Sequence, residues 1–130
     1  MTDDLLPHPH IKRVVIVDDH QGIRAAMAAL LTNGGLEIVG EGTTGAEAID
    51  LASALQPDLI ILDDAMPNMI GADAIPVIRD VAPGAKIVLH SASCSPGTLK
   101  HAPDALVTKG GHPRELLRTI AHLLGSAAAI

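Results

Sequence analysis

Four apolar runs along this chain each stop on polar residues. Val14-Val15-Ile16-Val17 ends at Asp18-Asp19, and Leu59-Ile60-Ile61-Leu62 ends at Asp63. Ile87-Val88-Leu89 ends at His90-Ser91, and Ala105-Leu106-Val107-Thr108 ends at Lys109. Between the runs, apolar residues recur at helical spacing. Ile23, Met27, Leu30 and Leu31 form one stripe, stopped by Asn33-Gly34-Gly35. Ala48, Leu51, Ala52 and Leu55 form a second; Thr44 and Glu47 before it read as a capping box, with Pro57 just past its end. Ala74, Ile75, Ile78 and Val81 form a third, with Pro76 about one turn in, so the spacing predicts a kink or a late start there. Leu116, Leu117, Ile120 and Leu123 form the last, opened by Pro113. The strands read as Arg13–Val17, 37–40, 59–62, 86–89 and 105–107, with a loop over 63–70.

The first three runs are continuously apolar, without polar alternation. Such strands are covered on both faces, which predicts a parallel sheet with helices on each side and right-handed crossovers. Open sheets of this kind bind ligands where their strands end. Those ends carry two adjacent acids, a single acid, a hydroxyl and a lysine.

Composition changes this picture in a few places. A chain of 130 residues is one ordinary domain with room for a real core. It has no Phe, Tyr or Trp, so that core is built from Ile, Leu, Val, Met and Ala. A formal charge of −6 argues against non-specific nucleic-acid binding by this segment. One cysteine, Cys94, allows no internal disulfide and fits a reducing compartment, so a cytoplasmic location is expected. No apolar stretch approaches the roughly 20 residues that span a bilayer, and the first ten residues lack a signal peptide's basic start and apolar centre. The expected layout is a flexible arm over 1–10, one domain over 11–124, and a tail or the start of a linker over 125–130.

Each polar strand end admits a bland explanation and a chemical one. Asp18 and Asp19 suit a turn or a helix cap; equally, a pair of hard oxygen donors suits Mg²⁺. Asp63 suits a turn; equally, a carboxylate can accept a phosphoryl group as a nucleophile. Asp64 is its rival, but strand neighbours point to opposite sides, so only one of the two can face Asp18 and Asp19. Ser91 and Lys109 alone are an ordinary serine and lysine; together they are suitable donors to phosphoryl oxygens. It is the ordered set, at the ends of the four apolar runs, that favours the chemical reading. The seven histidines include no helical pair four residues apart, and His8, His10 and His112 read as arm and loop residues. His90 reads as a structural strand-end residue, and Cys94 as a small loop residue.

The stretches Val14-Val15-Ile16-Val17-Asp18-Asp19-His20, Pro57-Asp58-Leu59-Ile60-Ile61-Leu62-Asp63, Met66-Pro67 with Gly71, Ser91-Ala92 and Lys109-Gly110 together resemble the receiver domain of two-component response regulators. The separation of 44 positions from Asp19 to Asp63 is the family's usual one. The resemblance spans about 11–124. It implies a flavodoxin-like, doubly wound five-stranded sheet of order 2-1-3-4-5. It implies Asp63 as the phosphoacceptor, with Mg²⁺ held by Asp18, Asp19, Asp63 and the main-chain carbonyl of Ala65. It implies Ser91 as the switch hydroxyl with Ala92 beside it, and Lys109 as the phosphate-pairing lysine. Asp-Asp-His followed by Ile23-Arg24 looks most like the subgroup that carries a LuxR-type helix-turn-helix.

Two departures stand out. The position three before the lysine, usually aromatic in the family, is Leu106. The 18 positions from Ser91 to Lys109 are a few fewer than usual, and Pro96, Gly97 and Pro103 leave room for one helical turn at most, hence a shortened fourth helix.

The leading expectation is therefore a phosphorylation-switched signalling module. It would take its phosphoryl group from a sensor histidine kinase or phosphotransfer protein, have a second copy of itself as a candidate partner, and reach DNA only through an output domain. It would act as a phosphoacceptor with at most weak autophosphatase activity. The alternative is a pseudo-receiver, a phosphorylation-independent interaction module, favoured by Leu106 and the clipped helix. A Mg²⁺-dependent phosphatase is the third class, but Asp64 lacks the spacing of its general acid and 130 residues leave no room for a cap over the site.

Overall fold

A computed structural model describes residues 11–66, 69–92 and 101–125. Residues 1–10, Cys94, most of the segment expected to carry a shortened fourth helix, and the residues beyond Gly125 lie outside the described residues. The elements run β1 (Arg13–Val17), α1 (Gln21–Asn33), β2 (Glu37–Gly42), α2 (Gly45–Leu55), β3 (Leu59–Asp63), β4 (Ala65–Met66), β5 (Met69–Ile70), α3 (Gly71–Val81), β6 (Lys86–Ser91), β7 (Ala105–Thr108) and α4 (Pro113–Leu124).

The five long strands form one parallel sheet in the order β2-β1-β3-β6-β7, the order expected. Its central strand β3 is buried from Leu59 to Asp63. Alternation splits the apolar runs cleanly between two layers. Val14, Ile16, Leu59, Ile61, Val88 and Val107 pack with Met27 and Leu31 of α1 and with Leu116 and Ile120 of α4. Val15, Val17, Ile60, Leu62, Ile87 and Leu89 pack with Ala48 and Ala52 of α2 and with Ala74, Ile75 and Ile78 of α3. Full burial of each Val, Leu or Ile is worth roughly 1.5–3 kcal/mol, which is how an aliphatic core replaces the missing aromatic rings.

The caps explain where helices begin and end. The Thr44 hydroxyl accepts from the Glu47 N–H. The Glu47 carboxylate accepts chiefly from the N–H and the hydroxyl of Thr43, one residue before the cap, with the Thr44 N–H a weaker contributor. Those bonds hold the Glu47 carboxyl below its ordinary range, the Thr43 hydroxyl first among the causes. Gln56 ends α2 in the left-handed region at φ 47°.

The structure differs from the expected elements in three places. Strands β2, β3, β6 and β7 each run on into polar residues, because ladder hydrogen bonds continue after the apolar pattern stops. The expected loop over 63–70 contains the small antiparallel pair β4–β5. Helix α3 starts at Gly71 without delay, and Pro76 sits inside it on the exposed side. No helix among the described residues is long and apolar enough to cross a membrane.

Candidate functional site

The same alternation that sorts the core also sorts the strand ends. Asp18 continues the Val14–Ile16 side, Asp63 the Leu59–Ile61 side, and Lys109 the Ala105–Val107 side, all toward the α1/α4 layer. Asp64 and Ser91 continue the opposite, α2/α3 side. Three charged groups are thus delivered to one pocket, and the rival acid is turned away from it.

In that pocket Asp18 is wholly buried and Asp63 is 2% exposed. The Lys109 ammonium donates to Asp63 Oδ1 at 2.9 Å and lies 3.2 Å from Asp18 Oδ2. One cation therefore holds two buried carboxylates that would otherwise repel each other. Burial pushes the Asp63 carboxyl above its ordinary range; the bonds from Lys109 and the Ala65 N–H oppose that rise and the Asp18 charge adds to it. At Lys109 burial disfavours the ammonium, but the bonds to Asp63 and Asp18 outweigh it and raise its pKa.

Asp63 Oδ2 is buried and accepts no hydrogen bond among the described residues, and Asp18 Oδ2 has only its ion-pair contact with Lys109. Asp19 lies at the rim, its side chain 29% exposed. One ligand atom each from Asp18, Asp19, His20 and Asp63 falls within 4.8 Å of all the others. Open carboxylate oxygens at that spacing suit a hard divalent cation such as Mg²⁺, which takes one or two carboxylates and keeps several waters. Ala65 is exposed on β4, and its N–H donates to Asp63 Oδ1 at 3.3 Å.

The loop carrying the acid pair is pinned from three directions. Asp18 N–H donates to the Gly42 carbonyl at 3.0 Å. The Arg24 guanidinium donates to the Asp18 carbonyl at 2.7 Å and pairs with Glu41 at 3.3 Å. His20 donates its main-chain N–H to Asp18 Oδ1 at 2.8 Å, and its ring Nδ1 lies 3.0 Å from Asp19 Oδ1. The sequence reading did not place His20 or Arg24 in the site. For His20 the signal was its adjacency to the acid pair; for Arg24 it was helical spacing, one turn after His20 on the same end of α1.

The Ser91 hydroxyl donates to Asp64 Oδ2 at 2.6 Å, the acid on its own side of the sheet. Ala92 follows as an exposed bend, and Leu106 packs half-buried against the α2/α3 layer. His90 is half-buried on the acid side of the sheet, and burial lowers its imidazole pKa, with the Lys109 charge adding to the fall.

Replacing Lys109 by Ala leaves Asp18 and Asp63 without their shared cation. Removing one member of a buried ion pair costs about 3–5 kcal/mol when burial is complete. This lysine is 18% exposed, so a loss on the order of 2 kcal/mol is expected in chelator-containing buffer. Urea denaturation with and without Mg²⁺ checks it: a divalent cation should recover part of the loss. An unchanged midpoint in chelator would show that the two acids do not depend on Lys109.

Residues 14–121 match the family model described as the response regulator receiver domain. The chain is 43% identical over 81 residues to the chemotaxis protein CheY of Thermotoga maritima, covering 62% of this chain and 68% of that protein. It is 31% identical over 112 residues to the nitrate/nitrite response regulator protein NarL of Escherichia coli K12, covering 82% of this chain and 52% of that protein. This chain thus spans about half of NarL's length. Among solved structures, a two-component response regulator of the LuxR family from Aurantimonas sp. SI85-9A1 superposes with a TM-score of 0.81 at 27% identity, over 90% of this chain and 88% of that one.

Proposed function

The chain belongs to the response regulator receiver domain family, and from that premise we propose that Asp63 accepts a phosphoryl group from a phosphohistidine donor. The observation that carries this reading is the Asp63 carboxylate. One oxygen is held by Lys109 at 2.9 Å, and the other is buried with no hydrogen bond among the described residues. In the transfer, a bond forms between Asp63 Oδ2 and phosphorus as the P–N bond of the donor breaks, its electron pair leaving with the imidazole nitrogen.

Asp18, Asp19, Asp63 and the Ala65 carbonyl would hold Mg²⁺ there. When bound, the cation offsets the repulsion between an anionic phosphoryl group and an anionic acid. Lys109 then pairs with a phosphoryl oxygen, and Ser91 supplies a second donor. Lys109→Ala should therefore still take up phosphate but respond more weakly. The reading makes the chain a phosphoacceptor with at most weak autophosphatase activity. It places it in the cytoplasm with a sensor histidine kinase or phosphotransfer protein as donor. DNA is reached only through an output domain.

The pseudo-receiver remains the second reading, favoured by Leu106, which fills the switch position without a ring to displace. The test is mass spectrometry after incubation with a small phosphodonor and Mg²⁺: one phosphoryl group on Asp63 supports the first reading, and none supports the second.

Metal binding has its own check. A cation that binds only the folded state stabilises it by about 2.7 kcal/mol at a concentration 100 times Kd. Wild type should melt at a higher temperature in millimolar Mg²⁺ than in chelator. Asp19→Ala should lose that gain, because Asp19 is the rim ligand and its carboxylate carries little of the fold. A full Mg²⁺ shift in Asp19→Ala would count against this metal site.

A further inference from the structure

We propose that Asp64 is a latch on the switch hydroxyl: in the unphosphorylated protein it holds Ser91 on the α2/α3 side of the sheet, and phosphorylation is answered only when that bond breaks. The inference rests on the reading of Asp63 as phosphoacceptor and adds to it a device within the same site. Ser91 and Asp64 occupy the strand positions facing away from the acid pocket. Their hydrogen bond, at 2.6 Å, joins residues 27 positions apart, and Ser91 is 2% exposed.

Both backbones are fixed. Ser91 pairs with Thr108 across β6 and β7, and its carbonyl accepts from the Lys109 N–H at 2.6 Å. The Asp64 carbonyl accepts from the Gly71 N–H at 2.9 Å. Within that frame the Ser91 hydroxyl reaches a different acceptor by turning about its side-chain torsion.

A serine hydroxyl has one hydrogen to donate. Asp64 and a phosphoryl group on Asp63 are both anionic acceptors, so they compete for that hydrogen and cannot both have it. The phosphoryl group carries roughly −1.5 to −2 at neutral pH. It attracts the hydroxyl and at the same time repels the neighbouring Asp64 carboxylate, so both effects favour release. Ser91 therefore has two discrete positions, and Asp64 sets the balance between them before any phosphate arrives. A hydrogen bond to a charged group is strong enough to shift such a balance roughly tenfold or more.

The experiment is NMR on the whole chain, titrated with beryllium trifluoride as a phosphoryl mimic in Mg²⁺. Without the mimic, Asp64→Ala should move the Ser91, Ala92 and Lys109 amide signals toward their positions in mimic-saturated wild type. Its half-saturating concentration should fall roughly tenfold. Asp64→Asn, which keeps an acceptor but loses the charge, should fall between the two and serves as the gentler variant. Signals that stay at wild-type positions with an unchanged half-saturation overturn the latch, as do signals that move away from the mimic-bound positions. If the wild type does not bind the mimic at Asp63, the phosphoacceptor reading fails. The latch is then decided by the Ser91 χ1 couplings without mimic: a changed torsion in Asp64→Ala upholds it, an unchanged one overturns it.

Discussion

Asp63→Asn should take up no phosphoryl group from a small donor in Mg²⁺, while wild type gains one and Asp64→Ala still gains one. Asparagine keeps the shape of the side chain and the bond to Lys109 through its carbonyl oxygen, but an amide is not a nucleophile toward phosphorus. The loss should not come from unfolding. Burial holds Asp63 above the ordinary carboxylate range, so ionising it costs more in the folded state than in the unfolded chain. The amide lifts that penalty while weakening one bond to Lys109. The net change in stability in chelator should be within about 1 kcal/mol. Intact-mass and peptide-level spectrometry check uptake, and urea denaturation checks the fold. Label retained in Asp63→Asn, or found on Asp64 in wild type, would sink the assignment.

Much of this site is legible in the sequence because strand alternation carries past the last apolar residue. Counting from Val14 and Ile16 to Asp18, and from Leu59 and Ile61 to Asp63, puts both acids on one side. The same count turns Asp64 away. Two strand ends could therefore be superposed by parity before any coordinates. The partner of Ser91 was not legible, although the count also places Ser91 with Asp64. Which acceptor a hydroxyl chooses depends on distance and on what already occupies the other acid, here Lys109 at 2.9 Å from Asp63. The Arg24 bond to the Asp18 carbonyl was equally hidden, because a carbonyl leaves no mark in the residue pattern. The β4–β5 pair was missed for a related reason: two residues per strand are too few to show a period.

The missing ring and the Asp64 bond bear on each other. Ser91, Asp64 and Leu106 all lie toward the α2/α3 layer. Where an aromatic would follow the hydroxyl as it leaves, Leu106 offers little volume to move and no polar group to pair again. A chain without that ring has less to stabilise the switched state. An anionic acceptor holding Ser91 then makes the unswitched state stronger still. On the proposed reading both features would raise the threshold of response without touching Asp18, Asp63 or Lys109, the groups proposed to take up and hold the phosphoryl group.

Gly71→Ala should be among the most damaging single changes in the molecule. A Cβ at Gly71 would lie 2.0 Å from the Asp63 carbonyl oxygen and 3.0 Å from Asp64 Cα. Those are backbone atoms, so no rotamer change relieves the clash. Either α3 must back away from the sheet or the end of β3 must move. The first breaks the Gly71 N–H bond to the Asp64 carbonyl at 2.9 Å and loosens Ala74, Ile75 and Ile78 from the core. The second displaces Asp63 from Lys109. Overpacking of a close-packed site typically costs 1–3 kcal/mol, and a backbone clash belongs at or beyond the top of that range, so a loss of about 3 kcal/mol is expected. Phosphoryl uptake should fall with it even at temperatures where the variant stays folded, because the nucleophile has moved. Gly22→Ala is the control: nothing lies within 4 Å of a Cβ there, and the residue sits in the first turn of α1. It should be neutral or gain up to about 1 kcal/mol through the better helix propensity of alanine. Urea midpoints and labelling rates for the two variants decide the point. A Gly71→Ala protein with wild-type values for both would show that the junction of β3 and α3 yields freely, and that Asp63 is not held in place by the close approach of Gly71.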